Sequence, residues 1–454
     1  MFNFLKGPGG VQELLRIAIP IFVSNGAFSV MLFTDKLFVA RLGKEHLAAT
    51  MAGGLTSFAS LSFFFGFVSF STAVVAQYYG SAQKKLSAAT TFQILYLIVV
   101  FYPIILCFIP GVIIFFQKIG HHPLQVDLET SYFRILSIGS VFTLMRMSIA
   151  SFFSGIGRTK IVMFSSVIGM TVNIPINYIL IFGNCGIPAL GIQGAAIGTN
   201  ISSICMLIIL LSHFLGASNR REFQIDSMFN LDMTMIKRLL RFGFPSGAET
   251  FLNILAFNIF ILLFHTYSSD VAAAITLVFN WDLLYFIPML GLSVATMSLV
   301  GQQLGAKNTT EAQRAVRSGL ILALCFAIGA GSLFLFASRF LIELFVTEEM
   351  ENYFFSSVNL AIDMLRITSL FVIFNAFSMI YSATLKSAGD TIWVMRTTII
   401  VNWIMLAGEL ILIKLMTVSP IHAWLFFVVC MASIPVLMFF RYLKGQWLHI
   451  KMIN

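Results

Sequence analysis

Residues 14–20 read LLRIAIP, and residues 239–245 read LLRFGFP. The two stretches are separated by a shift of 225 positions, and the register holds without a gap over the next sixty or so residues. It carries Pro20 onto Pro245, Ala48-Ala49 onto Ala273-Ala274, Gly66 onto Gly291, Gln77 onto Gln302 and Gly80 onto Gly305. Further along, a shift of 232 places Arg134 on Arg366, Gly157 and Thr159 on Gly389 and Thr391, and Val162-Met163 on Val394-Met395. Apolar segments coincide at Leu and Ala by chance. Coincidences at Arg, Pro, Gln and Gly in one frame mark an internal repeat.

The solvent of this chain is lipid. Of its 454 residues, 58% are hydrophobic and 10% charged, with a mean hydropathy of +0.92; soluble domains carry about 25% charged residues. A spanning helix needs about 20 apolar residues. Twelve such runs lie near 11–38, 48–76, 89–117, 131–155, 160–182, 188–213, 237–264, 272–300, 316–345, 356–384, 391–416 and 419–441. The repeat assigns six to each half. An even number returns the chain to its starting side, so the halves have parallel topology about an axis along the membrane normal. The expected fold is an all-α integral membrane protein of about twelve transmembrane helices, in two six-helix lobes related by pseudo-twofold symmetry. The lobes are expected at 1–215 and 237–454, joined by a cytoplasmic linker at 216–236 that lets them rock or lies along the membrane surface.

The net charge of +9 does not indicate nucleic acid, because the basic residues sit in short loops between apolar runs. Assigning alternate loops to one side gives nineteen Lys and Arg with the termini and five opposite, with Lys36, Arg134, Arg146 and Arg366 inside or at the ends of runs. Positive loops stay inside, which predicts cytoplasmic termini in a multi-pass plasma membrane protein (the inner membrane if bacterial). The first run, with no A-x-A site after it, reads as a retained helix. Cys107, Cys185, Cys205, Cys325 and Cys430 form no C-x-x-C pair and read as apolar filler.

Each charge at membrane depth needs a reason, since on insertion scales it costs about 2.5–3.5 kcal/mol. Asp35 sits late in the first run, within reach of Lys36 or Arg41. Asn173 and Asn177 are four apart in the fifth run and share a helical face. Thr199 follows the small residues Gly194-Ala195-Ala196 in the sixth. Asp363 and Arg366 are three apart and neutralise each other, while Arg134 is placed to snorkel. Arg146 is deeper and has no sequence neighbour to pair with. Glu249, Asp282 and Glu409 are further acids within runs, and Glu409 maps by the repeat onto Asn177. The 48 Phe and 22 Met suit lipid contact and, in aggregate, a greasy cavity. Pro20 and Pro245 are equivalent bends.

Six segments carry a family likeness: LFTDKLFVARLGKEHLAA (32–49), VVAQYYGSAQ (74–83), SGIGRTKIVM (154–163), NIPINYILIFGNCGIPALGIQGAAIGTN (173–200), LVGQQLGAKN (299–308) and KSAGDTIWVM (386–395). In order and spacing they resemble the multidrug and toxic compound extrusion (MATE) family over essentially the whole chain. The resemblance implies two lobes in a V and export of small organic, often cationic, compounds driven by inward H⁺ or Na⁺, with no cofactor. It also implies that Asp35, with Asn173, Asn177 and Thr199, binds the coupling ion, Na⁺ being possible at Asp35. Some branches have an acid where Asn177 stands, and acids on helices seven and ten where this chain has Asn253 and Asn375. Coupling is therefore expected in the N-terminal lobe, with Glu249 and Asp282 as candidate substitutes and Arg146 and Glu409 as further cavity candidates. A monomer is expected. A lipid-linked oligosaccharide or precursor flippase of the same superfamily is the neighbouring alternative; it needs a basic cavity, and only Arg146 lies deep. The D-x-x-x-D, Gly-x-Ser-x-Gly and His-Glu-x-x-His patterns of intramembrane enzymes are absent from the sequence, so no enzyme activity is expected. A channel would need a carbonyl-lined filter.

Overall fold

The LLR repeat segments begin two long helices, and the start of each packs into the core of the half to which it does not belong. The computed structural model describes residues 7–118, 120–227, 230–345 and 348–453. Twelve of its helices are long and apolar enough to cross a membrane. In the first half these are α1 (Val11–Ala40), α2 (Lys44–Gly80), α3 (Lys84–Lys118), α4 (Pro123–Gly155), α5 (Thr159–Phe182) and α6 (Ile192–Phe214). In the second they are α7 (Met233–His265), α8 (Ser269–Gly305), α9 (Thr309–Phe336), α10 (Glu348–Ser387), α11 (Thr391–Leu410) and α12 (Pro420–Leu443).

In lipid every backbone amide must be satisfied within the span, which leaves helices as the local solution for these runs. Several helices overrun the apolar runs because polar caps carry them into the aqueous margin. Asp232 accepts the amides of Thr234 and Met235 at 2.9 and 3.0 Å, and the Ser268 hydroxyl accepts that of Val271 at 3.2 Å. The ninth run, expected unbroken over 316–345, is interrupted. α9 ends at Phe336, and a short helix, Ser338–Glu343, follows. The hydroxyl of Ser338, just past the break, accepts a hydrogen bond from Arg366 Nε at 3.2 Å. The eleventh run leaves α-geometry at Leu410 and finishes in a π-helical turn, Ile411–Leu415.

Leu14, Ile17, Ala18 and Ile21 of α1 join the apolar core of the second half. Met235 and Leu239 of α7 join that of the first. Leu14 and Leu239 are repeat equivalents, so the exchange is symmetric. Lipid tails are as apolar as leucine, so contact between membrane helices depends on close packing and hydrogen bonds rather than on hydrophobic burial. The repeated glycines meet that need. A Cβ on Gly66 would fall 2.7 Å from the Ser246 carbonyl oxygen of α7, just past Pro245. A Cβ on its equivalent, Gly291, would fall 3.2 Å from that of Ala18, just before Pro20.

The seam is closed most tightly at the end that carries the chain termini. Gln77 of α2 donates to the Ser387 carbonyl at the end of α10, at 2.7 Å. Gln302 of α8 donates to the Gly155 carbonyl at the end of α4, also at 2.7 Å. These are the same bond under the repeat, made once in each direction. Beside them α2 and α8 touch through backbone, at Gly80 against Gln302 and Gly305 against Gln77. Further from the termini, the outer ends of α1, α2 and α4–α6 pack among themselves, around Val39, Ala49, Tyr132, Ile181 and Ile192.

The described part of the connection between the halves begins with structure of its own. Its short helix, Ala217–Phe223, is fastened to the first half. Arg158 donates to Asn219 Oδ1 at 2.8 Å and to Glu222 Oε2 at 2.6 Å, and Lys84 reaches Glu222 Oε1 at 3.0 Å. Burial pushes the Glu222 carboxyl up, but the hydrogen bonds and charges of Arg158 and Lys84 outweigh it and hold the group below its ordinary range. Phe223 is buried edge-on to Phe152, with ring centroids 5.0 Å apart.

Candidate functional site

Asp35 lies on the buried stripe of α1 with Met31 and Val39, one helical turn from the outer end, and is 3% exposed. That stripe meets the small-residue face of α6 and the asparagine face of α5. Asn177 Nδ2 donates to Asp35 Oδ1. The Thr199 hydroxyl lies 3.2 Å from Asp35 Oδ2 and 3.0 Å from the Ala195 carbonyl, two acceptors that share its one proton. Asn177 Nδ2 also lies 3.2 Å from Asn173 Oδ1. About three turns further in, the Ser24 and Ser166 hydroxyls join α1 to α5 at 2.6 Å. The structure thus brings together the four residues singled out in the first half. Lys36 and Arg41, the local neutralisers that spacing allowed, make no ion pair with Asp35 among the described residues.

Two atoms of this cluster have no partner. Asn173 Nδ2 and Asn177 Oδ1 are buried and unbonded. A third feature was not singled out in the sequence: Gly198. A Cβ there would sit 1.7 Å from Asn177 Oδ1, so only glycine lets the amide reach Asp35. The small-residue run preceding Thr199 was the available signal. Tyr132 of α4 is buried close enough to feel the Asp35 charge. Chemically the site offers one carboxyl group, two amide oxygens and a hydroxyl. Among the described residues no group of three or more His, Cys, Asp or Glu is placed to hold a metal ion.

The remaining candidates lie outside this cluster. Glu249 of α7 is buried and meets Lys386 Nζ of α10 at 2.9 Å. Asn253, one turn on, accepts from Asn402 of α11 at 2.7 Å. Asp282 Oδ1 on α8, Asn375 Oδ1 on α10 and Arg146 Nε on α4 are each buried without a partner. Glu409 on α11 is fully buried with neither carboxylate oxygen bonded. Asp363 and Arg366 pair at 3.3 Å, and Arg134 is exposed. Lys386 was not singled out, because it stands past the end of the tenth apolar run.

Breaking a buried ion pair from one side leaves an uncompensated charge and costs about 3–5 kcal/mol. Lys386→Met is therefore expected to lower the thermal midpoint in detergent, and adding Glu249→Gln to recover most of the loss. Equal midpoints for the single and double variants would show that the pair is not coupled.

A model of the MatE family matches residues 20–179 and 245–408. The chain belongs to the MATE family. The two matched segments of the MATE model open on Pro20 and Pro245, in the repeat frame that carries LLRIAIP onto LLRFGFP. A probable multidrug resistance protein, NorM of Pasteurella multocida (strain Pm70), is 25% identical over 400 residues, 87% of this chain and 84% of that protein. The solved outward-facing conformation of a multidrug resistance MATE family transporter of the MOP superfamily superposes with a TM-score of 0.87. It is 20% identical, with 99% of this chain and 98% of that one covered. A MOP superfamily transporter from Pyrococcus furiosus Vc1 (DSM3638), whose reverse polarity of binding pocket suggests a different function for it, superposes with a TM-score of 0.86 at 20% identity, over 99% and 97% of the two chains. These structures share the MATE fold with this chain.

Proposed function

We propose that this chain exports small organic, often cationic, compounds across a plasma membrane by alternating access, in exchange for H⁺ entering through Asp35. The observation that carries the reading is a lone buried carboxyl group held by two neutral donors, with an unpartnered amide oxygen beside it. Family membership and the likeness to a probable multidrug resistance protein support the cargo class. The count of nineteen against five basic residues supports cytoplasmic termini. On that orientation the Gln77 and Gln302 bonds lie on the cytoplasmic side. The lobes, 1–215 and 237–454, rock about the crossings at Gly66 and Gly291, with 216–236 travelling with the first.

A ligand shifts a two-state equilibrium only by its differential affinity for the two states. Protonated Asp35 has a hydroxyl that needs an acceptor, and rotation of the Asn177 amide, whose oxygen is otherwise unbonded, presents one. Ionised Asp35 instead draws on the Asn177 and Thr199 donors. Exchange of the proton thus changes which bonds join α1 to α5 and α6, and that is the differential. Na⁺ would find a single charge and neutral oxygens; the acid that some branches add beside it is replaced here by Asn177.

The test is ethidium efflux from proteoliposomes holding the full chain, with pH and Na⁺ gradients imposed separately. The pH gradient alone is expected to drive efflux and the Na⁺ gradient alone to leave it near the undriven rate. A response to Na⁺ only transfers the site to Na⁺, and a response to neither sinks coupled export.

A further inference from the structure

Glu409 has no place in the mechanism above. It lies on the buried stripe of α11, with Thr398, Asn402, Met405 and Ile413. Under the repeat that stripe is the counterpart of Ser166, Asn173, Asn177 and Ile181 on α5, and Glu409 takes the register of Asn177. The residue equivalent to Asp35 is Phe260 of α7, which is fully buried and stacked on Phe427 of α12 at 4.5 Å. The second half therefore retains a buried carboxyl at this level but carries it on the fifth helix of the lobe instead of the first.

The surroundings of Glu409 differ sharply from those of Asp35. Both Oε atoms are buried and neither accepts a hydrogen bond. No Lys, Arg or His is paired with it among the described residues. The titratable groups that feel its charge are Tyr267, just past the end of α7, and Cys430 of α12. Tyr267 donates its own hydroxyl to the Val418 carbonyl at 2.9 Å, away from Glu409. Gly408 brings α12 close, since a Cβ there would strike the Phe426 ring at 2.4 Å. Directly beyond Glu409 the helix loosens into the π-helical turn Ile411–Leu415, a local irregularity that recurs at functional positions.

A charge without donor or counter-ion is not sustained at membrane depth, so the group in this state carries a proton. Hard cations need several oxygen ligands, and none is offered here. We propose that Glu409 is a second proton-binding carboxyl of the transport cycle, the counterpart of Asp35 in the second half, which discharges when that half opens to water. The proposal rests on the export reading, but Glu409 can be interrogated without it.

The experiment uses dicyclohexylcarbodiimide, which attacks protonated carboxyls in apolar surroundings, on the purified full chain bearing Asp35→Asn. The adduct is located by peptide mass spectrometry. Glu409 is expected to be modified at acid pH and protected at alkaline pH. In parallel, Glu409→Gln with Asp35 intact is expected to lose one proton per ethidium exported, read from the pH gradient that balances a dye gradient, with Glu409→Asp retaining the wild-type ratio. Failure to modify Glu409 at acid pH, or a yield that does not fall as pH rises, overturns the proposal. So does an unchanged proton-to-dye ratio in Glu409→Gln. If export proves not to be proton-coupled, the modification profile still decides whether Glu409 titrates.

Discussion

Asp35→Asn is expected to remove gradient-driven export while leaving the fold intact. Asparagine keeps the shape of the side chain and one oxygen to accept from Asn177 or Thr199. What it cannot do is gain and lose a proton, so the hydrogen-bond exchange between α1 and its neighbours stops. Coupling free energies between sites run to about 1–3 kcal/mol, or roughly 5–150-fold in affinity. Driven ethidium efflux should therefore fall by at least about fivefold, with the thermal midpoint in detergent near that of the unaltered chain. Asp35→Glu tests geometry separately: the extra methylene pushes the carboxyl toward Asn177, and partial activity is the expected result. Driven efflux at the wild-type rate in Asp35→Asn would remove the carboxyl from the mechanism.

Gly305→Ala is expected to bias the transporter away from the state seen here. A Cβ on Gly305 would lie 2.0 Å from the Gln77 carbonyl oxygen, and one on Gly80 would lie 1.8 Å from that of Gln302. Both obstacles are backbone, so no rotamer change relieves them, and α2 and α8 must separate. Overpacking of this kind costs about 1–3 kcal/mol, which corresponds to a roughly 5–150-fold shift in a two-state population. The cost falls on the state closed at the terminus-bearing end and is absent where that end is open. Spin labels at Ser81 and Lys307 should report a longer distance in Gly305→Ala, and Gly80→Ala should act in the same direction because the two glycines are repeat equivalents. Efflux should fall with the shift, because a cycle that cannot close one end cannot turn over. Unchanged distances and unchanged efflux in both variants would show that the contact is incidental.

Much of this architecture was legible in the residues. Twelve spans follow from composition, because lipid imposes a local requirement on every stretch that crosses it. The pairing of halves follows from LLRIAIP and LLRFGFP, and from Gln and Gly in one frame. Asn173 and Asn177 were legible as one face, since four residues make a helical turn. The break after α9 was not legible, because the Arg366 side chain that bonds Ser338 beside it arrives from another helix.

Hydropathy and repetition determined that this is a two-halved membrane protein, and the isolated charges determined which side chains had to be accounted for. Tertiary structure alone decided their partners. Neither the four-residue cluster around Asp35, the glycine that admits Asn177, the Glu249–Lys386 pair nor the solitude of Glu409 could be assigned from spacing. The reason is that lipid and protein core are about equally apolar, so the pattern along a membrane helix says little about which face looks inward. The rotation and register of each helix are set by close contacts such as Gly66 against Ser246 and Gly80 against Gln302, between residues far apart in the chain.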